Sequence, residues 1–439
     1  MSAKECSSVS VTRRSFFYSA GMAITAAEAT RVMGANDRIQ VAIIGLGGRG
    51  RAHVNIYHNT HECTIAAICD VNQAARERGA ALVKSVAGNA PKEYVDMRDV
   101  FADKSIDAVS LPLPNHWHAL ATIWACQAGK DVYVEKPACH NIFEGLRMIE
   151  AARKYKRMVQ VGSQGRSMPH KRKAMQLLQE GVIGKVYMAK GLCYKRRKSI
   201  GHTPDGPVPP GIDWDKFLGP APMRPYSENR FRYNWHWFWD TGNGDIGNQG
   251  IHQMDIARWG LNRGLPKGGV STGGKFVYVD DQETPNTQIA TFDYGDAELV
   301  FEVRGLMTGT EGGLRHTGNV IGNLFYGSEG WMALDDSGFQ VYKGESNEKI
   351  MDEKVSDREG SAHVKNFFDA MRSRKHEMLT ADVEIGVTSA ALVHIANISY
   401  RVGRKLNFDS KNWDFPGDAE ANKLRTRPPR PPYVVPDKV

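Results

Sequence analysis

Short apolar runs alternate with helix-favouring stretches over the first third of the chain. The apolar runs cover residues 40–44, 64–69, 106–113, 131–135 and 158–162. The stretches that favour helix cover 49–57, 73–85, 119–128 and 141–155. Strands that alternate with helices form parallel sheets, so the pattern predicts an α/β domain of the doubly wound Rossmann type at 36–163.

The pattern changes at about residue 164. Longer strands are predicted at 185–194, 287–293, 297–304, 320–326, 331–334 and 339–343, and a hairpin turn at 294–296 joins two of them. Helices are predicted at 362–374 and 383–402. We therefore expect a C-terminal α+β domain at 164–410 with a mainly antiparallel sheet, and an extended arm at 411–439.

A glycine-rich turn connects the first predicted strand to the first helix. Gly45, Gly47 and Gly50 stand in G-x-G-x-x-G register. The first glycine permits the tight turn, the second lets the backbone approach a pyrophosphate, and the third allows close helix packing. Because the helix N-terminus then faces the phosphates, Gly48 and Arg49 are also expected at the cofactor. An ordinary turn is the alternative.

The second strand supports the dinucleotide interpretation. It ends in Asp70, at about the distance from the turn where a carboxylate can bind the ribose hydroxyls. A carboxylate repels a 2′-phosphate, which favours NAD. Arg76 and Arg78 lie nearby in the sequence and would make NADP possible.

Composition excludes several classes of protein. The chain has 439 residues, of which 41% are hydrophobic and 24% charged, as in soluble globular proteins. No run is long and apolar enough to span a bilayer. The formal charge of +8 is dispersed, so no nucleic-acid partner is expected. Six cysteines without a C-x-x-C pair favour buried thiols over disulfides or a metal site.

The N-terminus has the order of an export signal. Residues 12–17 read Thr-Arg-Arg-Ser-Phe-Phe and precede a stretch of small residues at 19–27. This resembles a twin-arginine signal, so we expect residues 1–29 to be removed and the protein to reach the periplasm or another extracytoplasmic site. A disordered basic tail is the alternative. This route carries folded proteins, so a cofactor could travel with the enzyme.

Three more motifs follow in order: P-N-x-x-H at 114–118, E-K-P at 135–137 and a glycine-rich segment that ends in His252. With the glycine turn and Asp70 they resemble the Gfo/Idh/MocA family of sugar and polyol oxidoreductases, over about residues 38–405. The resemblance implies a Rossmann domain followed by a large open sheet whose face forms the substrate site. It also implies a homo-oligomer, a dimer or tetramer.

Lys136 follows a predicted parallel strand at its carboxyl end, where open α/β sheets bind ligands. A lysine there can polarise a substrate hydroxyl or relay its proton while the adjacent carbon is oxidised. The alternative is a surface lysine paired with Glu135. The resemblance favours catalysis by Lys136 and implies cofactor contacts for Pro114, Asn115, His118, Glu135 and Lys136 itself. Helix capping by Asn115 and packing by His118 are the alternatives.

The glycine-rich segment at 240–255 supplies a second candidate site. Dehydrogenases of the family usually carry an aspartate four residues before the histidine, where this chain has Asn248. On a helix the two positions share a face, so Asn248 can orient His252 but cannot take its proton. His252 is the candidate general base because imidazole titrates near neutrality. Asp255 is expected to support it, whereas Asp245 is expected to lie about 10 Å away.

An aromatic segment at 230–240 precedes the glycine-rich one. Aromatic rings stack on sugar faces while polar side chains bind hydroxyls, so Tyr233, Trp235 and His236 are expected at the substrate, together with Asn248 and His252. Core packing is the alternative for at least half of these rings. The basic run at 195–198 favours a solvated surface over a site for an anionic sugar.

These observations predict an exported NAD(P)-dependent oxidoreductase that acts on a ring carbon of a sugar, glycoside or cyclic polyol. Free NAD is scarce outside the cytoplasm, so the cofactor is expected to be tightly bound. The first alternative is a redox-neutral glycosidase that oxidises the sugar, eliminates the aglycone and reduces the product. The second is a non-catalytic sugar-binding protein.

Overall fold

The computed structural model describes residues 38–306, 319–355 and 360–439. The predicted export signal at 1–29 and the first two residues of the predicted N-terminal domain lie outside the described residues. Within the described ranges, every helix is too short or too polar to cross a membrane.

The first sheet contains six strands, all of which pair in parallel. They are β1 (Ile39–Ile44), β2 (Cys63–Cys69), β3 (Lys92–Tyr94), β4 (Ala108–Leu111), β5 (Asp131–Val134) and β6 (Val159–Val161). The helices are α1 (Gly48–His58), α2 (Gln73–Ala87), α3 (Met97–Ala102), α4 (Asn115–Gln127) and α5 (Ile142–Lys154). The strand order β3-β2-β1-β4-β5-β6 is doubly wound, which confirms the predicted class.

The second sheet contains nine strands of the described chain. They are β7 (Val186–Tyr194), β8 (Gly268–Gly274), β9 (Thr287–Asp293), β10 (Glu298–Arg304), β11 (Val320–Gly327), β12 (Gly330–Asp335), β13 (Gly338–Lys343), β14 (Glu348–Lys354) and β15 (Leu406–Asn407). Their order is β14-β13-β12-β11-β7-β10-β9-β8-β15. Among these neighbours, β7 and β10 pair in parallel and the rest antiparallel, so the predicted mainly antiparallel sheet is confirmed.

Four strands, β3, β8, β14 and the two-residue β15, escaped the sequence analysis because they lack an apolar run. The edge strand β3 has three residues, and the edge strand β14 is largely charged, which discourages pairing with another chain. Four of the seven residues of β8 are glycines. A Cβ at Gly269 would lie 3.0 Å from Phe292 and 3.2 Å from Ile395. Glycine therefore lets a helix approach this strand closely.

Helices cover the inner face of the second sheet. The helices of this half are α6 (Pro169–Gln179), α7 (Trp214–Leu218), α8 (Gly244–Asn248), α9 (Gly250–Leu261), α10 (Ala362–Ser373), α11 (Val383–Val402) and α12 (Ala419–Lys423). α9 and α11 pack on the sheet through Met254 and Leu392, which join a core with Phe292, Phe301 and Phe325. This burial places the start of α9 next to the carboxyl ends of the first sheet's strands.

The segment 411–439 is attached to the first half of the chain. Arg427 forms a 2.5 Å ion pair with Glu144 on α5 and donates to the main-chain oxygen of His116 at 2.7 Å. Tyr433 packs edge-on against Trp117 on α4. These contacts hold α4 and α5, the two helices that follow β4 and β5.

The buried Arg427–Glu144 pair gives a stability prediction. Arg427→Met should lower the free energy of unfolding by about 3 kcal/mol at neutral pH, because it leaves the Glu144 carboxylate buried and unpaired. Burial already raises the pKa of Glu144 despite the neighbouring Arg427. The deficit should therefore shrink as the pH falls and Glu144 becomes protonated. Denaturant titrations at several pH values measure it.

The control is Arg404→Met, which removes an exposed pair with Asp418 and Glu420. It should cost less than about 1 kcal/mol. An equal loss of unfolding free energy in both variants would show that the buried pair contributes no more to stability than an exposed one.

Candidate active site

The glycine turn forms an open cradle between β1 and α1. Gly45 has φ +98°, and a Cβ there would lie 2.8 Å from the oxygen of Pro112. A Cβ at Gly50 would lie 1.9 Å from the oxygen of Gly45. No described atom lies within 4 Å of a Cβ at Gly47 or Gly48. The first and third glycines of the turn are therefore packed against the protein, whereas the second faces open space at the site.

The start of α1 is suited to an anion. Gly47 caps the helix without a side-chain hydrogen bond, and the first turn contains no acidic residue. The first N–H groups of a helix without such partners attract phosphate. The cradle and the helix start together fit the pyrophosphate of a dinucleotide.

Asp70 lies beside this cradle. Its carboxylate accepts the backbone N–H of Leu46 at 2.6 Å and that of Asn72 at 2.8 Å, and burial raises its pKa. Arg76 donates to the main-chain oxygen of Asp70 at 2.6 Å. The Asp70 carboxylate is thus held where the ribose of a dinucleotide would reach the turn.

A segment from the second domain is built onto the loop after β2. The N–H of Gln73 donates to the oxygen of Gly211 at 2.8 Å, and the N–H of Asp213 donates to the oxygen of Val71 at 3.1 Å. A cavity of about 480 Å³ opens at this contact. Its lining residues are Val71, Gln73, Arg76, Val95, Val208, Gly211, Ile212, Asp213 and Trp214.

Glu135 is held by a network that crosses the first sheet. It accepts from Arg49 Nε at 2.7 Å and contacts His53 Nε2 at 3.0 Å. Burial opposes ionisation of Glu135, but Arg49 and His53 outweigh it and hold its pKa well below the usual range. Glu135 therefore pairs with Arg49 and His53, and the alternative of a Lys136–Glu135 surface salt bridge is wrong.

Lys136 points instead toward the second half of the chain. Its Nζ donates to the main-chain oxygen of Asn248 at 2.7 Å and lies 3.5 Å from the side-chain oxygen of the same residue. Burial lowers the pKa of Lys136 to about 8. Its ammonium can therefore lose a proton near physiological pH, which suits a group that handles a hydroxyl proton.

The P-N-x-x-H motif connects neighbouring loops. His118 is fully buried, with Nδ1 2.7 Å from the oxygen of Pro137 and Nε2 2.8 Å from the oxygen of Leu113. Asn115 donates to the side-chain oxygen of Asn243 at 2.9 Å, and Pro114 occupies the N-cap of α4. The Asn115 and His118 side chains thus bind protein groups that shape the loop beside Lys136.

The helix predicted across the glycine-rich segment is interrupted at Gln249, between α8 and α9. The N–H of His252 donates to the oxygen of Gln249 at 3.2 Å, which leaves the oxygen of Asn248 available to Lys136. The Asn248 side chain donates to Tyr233 at 3.0 Å. Asn248 therefore contacts Lys136 and Tyr233, and the expectation that it orients His252 is wrong because the helix is not continuous.

His252 follows the interruption. Burial, with a contribution from Lys136, lowers its pKa to about 3, so the imidazole is neutral at neutral pH and is a much weaker base than the predicted near-neutral group. No residue of the described ranges hydrogen-bonds its ring. Asp255 does not support it, contrary to expectation. Its carboxylate binds Arg166 at 2.8 Å and Ser389 at 2.6 Å, because a buried carboxylate requires a fixed cation.

Arg197 is a site residue that the sequence analysis missed. Its guanidinium binds the two oxygens of Asp245 at 2.9 and 2.6 Å and donates to the Tyr233 hydroxyl at 3.1 Å. It also lies 5.4 Å from the ring centre of Trp237. Because Arg197 is one of four consecutive basic residues, it was expected to be solvated. It is instead partly buried, because it forms an ion pair with the buried carboxylate of Asp245.

The aromatic segment divides between core and site. Phe231, Trp237 and Phe238 are buried, as core packing predicts. The Tyr233 ring is 52% exposed. Trp235 stacks on His236 at 3.6 Å between ring centres, and burial lowers the pKa of His236 to about 3. Tyr233 is therefore the ring of this segment that reaches the polar cluster around Asn248.

No group of three or more histidine, cysteine, aspartate or glutamate side chains in the described residues is arranged to hold a metal ion. The five cysteines that the structure describes are buried and unpaired. The described site is thus built from a glycine cradle, a lysine, amides, a tyrosine and a histidine.

This fold and cradle define a dinucleotide-binding α/β protein. The model described as "Oxidoreductase family, NAD-binding Rossmann fold" matches residues 39–163. The model described as "Oxidoreductase family, C-terminal alpha/beta domain" matches residues 172–267 and 335–435. Together they match more than half of the chain, which belongs to the Gfo/Idh/MocA oxidoreductase family.

Named relatives share part of the chain. An inositol 2-dehydrogenase of Corynebacterium glutamicum is 29% identical over 38% of this chain and 48% of its own length. A glycosyl hydrolase family 109 protein of a Shewanella species is 27% identical over 34% of each chain. The chain thus spans at most about half the length of these curated relatives.

The fold extends further than the sequence similarity. The WlbA dehydrogenase of Bordetella pertussis, solved in complex with NADH and UDP-GlcNAcA, superposes with a TM-score of 0.65. The match covers 85% of this chain and 99% of that chain at 18% identity, so it establishes the shared fold alone.

Gly47 provides a test of the cradle. Gly47→Ala should weaken NAD binding at least about tenfold, because its Cβ enters open space that faces the site without touching the protein. Thermal stability should be unchanged. Gly264→Ala, whose Cβ also meets no described atom, is the matched control and should bind normally. Calorimetric titration with NAD, after bound nucleotide has been removed by unfolding and refolding, measures both, and undiminished affinity in Gly47→Ala would refute the cradle.

Proposed function

We propose that this protein is an exported NAD-dependent oxidoreductase that acts on a ring carbon of a sugar, glycoside or cyclic polyol. The observation that carries the proposal is the position of Lys136. It stands at the carboxyl end of β5, with a pKa of about 8, and its Nζ reaches the aromatic and amide cluster of the second half. The nicotinamide, when bound, would accept or return the hydride.

Each side chain of the cluster has a separate role in the proposed reaction. Lys136 binds the substrate hydroxyl and takes its proton as the carbon is oxidised. His252 offers a neutral imidazole that no described residue hydrogen-bonds, and this imidazole can bind a second hydroxyl. The half-exposed Tyr233 ring offers a face for the sugar. Lys136 and Tyr233 both hydrogen-bond Asn248 and lie on either side of it.

NAD is the proposed cofactor, and we infer that it is held through many turnovers. The carboxylate of Asp70 disfavours a 2′-phosphate, although Arg76 stands close enough to keep NADP in consideration. The pairing of residues 211–213 with the loop after β2 forms one border of the site next to Asp70. Slow exchange would suit a protein that works in the periplasm as a homo-oligomer.

A second candidate is a glycosidase with no net redox change. Asn248 supports it, because the amide stands where the family's dehydrogenases usually carry an aspartate. The partial likeness to glycosyl hydrolase family 109 proteins points the same way. In such a cycle, oxidation of one hydroxyl acidifies the neighbouring C–H, the aglycone is eliminated, water adds, and the ketone is reduced again.

Retention of the cofactor can be measured directly. The protein purified without added nucleotide should release close to one equivalent of NAD on denaturation, identified by mass spectrometry. The bound nucleotide should not be displaced by washing. Recovery of empty protein that turns over only with added NAD would contradict retention.

Lys136 should control the pH dependence of turnover. Below about pH 8 its ammonium carries the proton and cannot accept another, so kcat/KM for oxidation should rise with pH and level off above about 8. Lys136→Met should lose turnover at least about 100-fold yet retain NAD. His252→Ala should lose turnover in the same way.

The control is Lys92→Met, which alters an exposed lysine that pairs with Asp103. Its pH profile should match that of the wild type. Full activity in Lys136→Met or in His252→Ala would reject the role assigned to that residue. Sugar-binding without any turnover would identify a non-catalytic protein.

A further inference from the structure

The Tyr233 hydroxyl is surrounded by donors. Asn248 Nδ2 donates to its oxygen at 3.0 Å, and Arg197 Nη1 donates to the same oxygen at 3.1 Å. Neither nitrogen can accept a hydrogen bond. Both lone pairs of the hydroxyl are thus occupied, and its own hydrogen has no acceptor among the described residues. Because Tyr233 is half-exposed, this hydrogen is left for a bound molecule or for solvent.

The orientation of the Asn248 amide is fixed from two sides. Lys136, which only donates, lies 3.5 Å from Oδ1, whereas the Asp245 carboxylate, which only accepts, lies 3.4 Å from Nδ2. A flipped amide would turn its nitrogen toward an ammonium and its oxygen toward a carboxylate. The amide nitrogen is therefore the group that faces Tyr233.

Arg197 is held so that it can stabilise negative charge on Tyr233. Two of its nitrogens bind Asp245, which leaves the third directed at the phenol oxygen. The aromatic contact with Trp237 further fixes the guanidinium. A phenolate formed at this position would meet two donors already in place, one of them charged.

The site thus contains two separate proton-handling groups. Lys136 comes from the end of β5 and Tyr233 from the aromatic segment, and they contact Asn248 from different sides. Oxidation of one hydroxyl requires one such group. Cleavage of a neighbouring C–O bond requires a second, because an alkoxide leaves poorly unless it is protonated.

We propose that Tyr233 is the general acid that protonates the leaving oxygen of a glycoside substrate. The inference rests on the second candidate function, in which the sugar is first oxidised to a ketone. The C–H bond next to that ketone then breaks, and the neutral amine of Lys136, once it has passed the hydroxyl proton to water, takes the carbon proton. The bond from the anomeric carbon to the leaving oxygen breaks with its electron pair, and that oxygen takes the proton of Tyr233. The phenolate remains between Arg197 and Asn248.

The test compares leaving groups. The holoenzyme is assayed with methyl and para-nitrophenyl glycosides of glucose, galactose and N-acetylglucosamine. In Tyr233→Phe, kcat for the methyl glycoside should fall at least about 100-fold, whereas kcat for the para-nitrophenyl glycoside should fall less than about threefold, because para-nitrophenolate leaves without a proton. Bound NAD should be unchanged. Tyr187→Phe, an exposed tyrosine on β7, should behave as the wild type.

The outcomes separate this proposal from the functions on which it depends. Equal losses on both glycosides, or a raised KM with little change in kcat, would show that Tyr233 only supports the site and would overturn its role as an acid. Wild-type oxidation of these sugars without cleavage would overturn the glycosidase and the role of Tyr233 together but leave the oxidoreductase standing. Absence of both reactions on these glycosides would overturn the glycosidase and the role of Tyr233, and assays with free sugars and cyclic polyols would then decide the oxidoreductase.

Discussion

One main-chain carbonyl, that of Asn248, organises the candidate active site. In a continuous helix it would accept the N–H of His252. Because the helix is interrupted at Gln249, that N–H turns to the oxygen of Gln249 and the carbonyl accepts Lys136 at 2.7 Å. A single hydrogen bond thus links the end of β5 to α8. Tyr233 contacts the side chain of the same asparagine, and Arg197 binds Tyr233 and Asp245 beside it.

The sequence was most informative where apolar residues form uninterrupted runs. Buried parallel strands such as β1 and β2 have this pattern, and their order along the chain determined the fold class. Edge strands bury little, so β3 and β14 are polar and were missed. The glycines of β8 serve an approaching helix, and that reason becomes visible only once α11 is in place.

The sequence predicted the candidate active site less completely than the fold. Motif spacing brought out Lys136, Asn248 and Tyr233, which the structure places in one cluster. The partners of each were harder to predict, because they depend on a single helix interruption and on long-range charge pairing. Asp255 pairs with Arg166 and does not support His252. Arg197, one of four consecutive basic residues, pairs with Asp245. The sequence of a run of like charges does not indicate which of its residues will form an ion pair with a buried side chain.

The pairing between the loop after β2 and residues 211–213 has a consequence for biosynthesis. All strands of the first sheet and its glycine cradle lie before residue 162, but one wall beside Asp70 comes from a segment some fifty residues further on. A nascent chain that had folded only its first sheet would therefore present an incomplete nucleotide site. Capture of the coenzyme becomes a late step of maturation, coupled to docking of the second half of the chain.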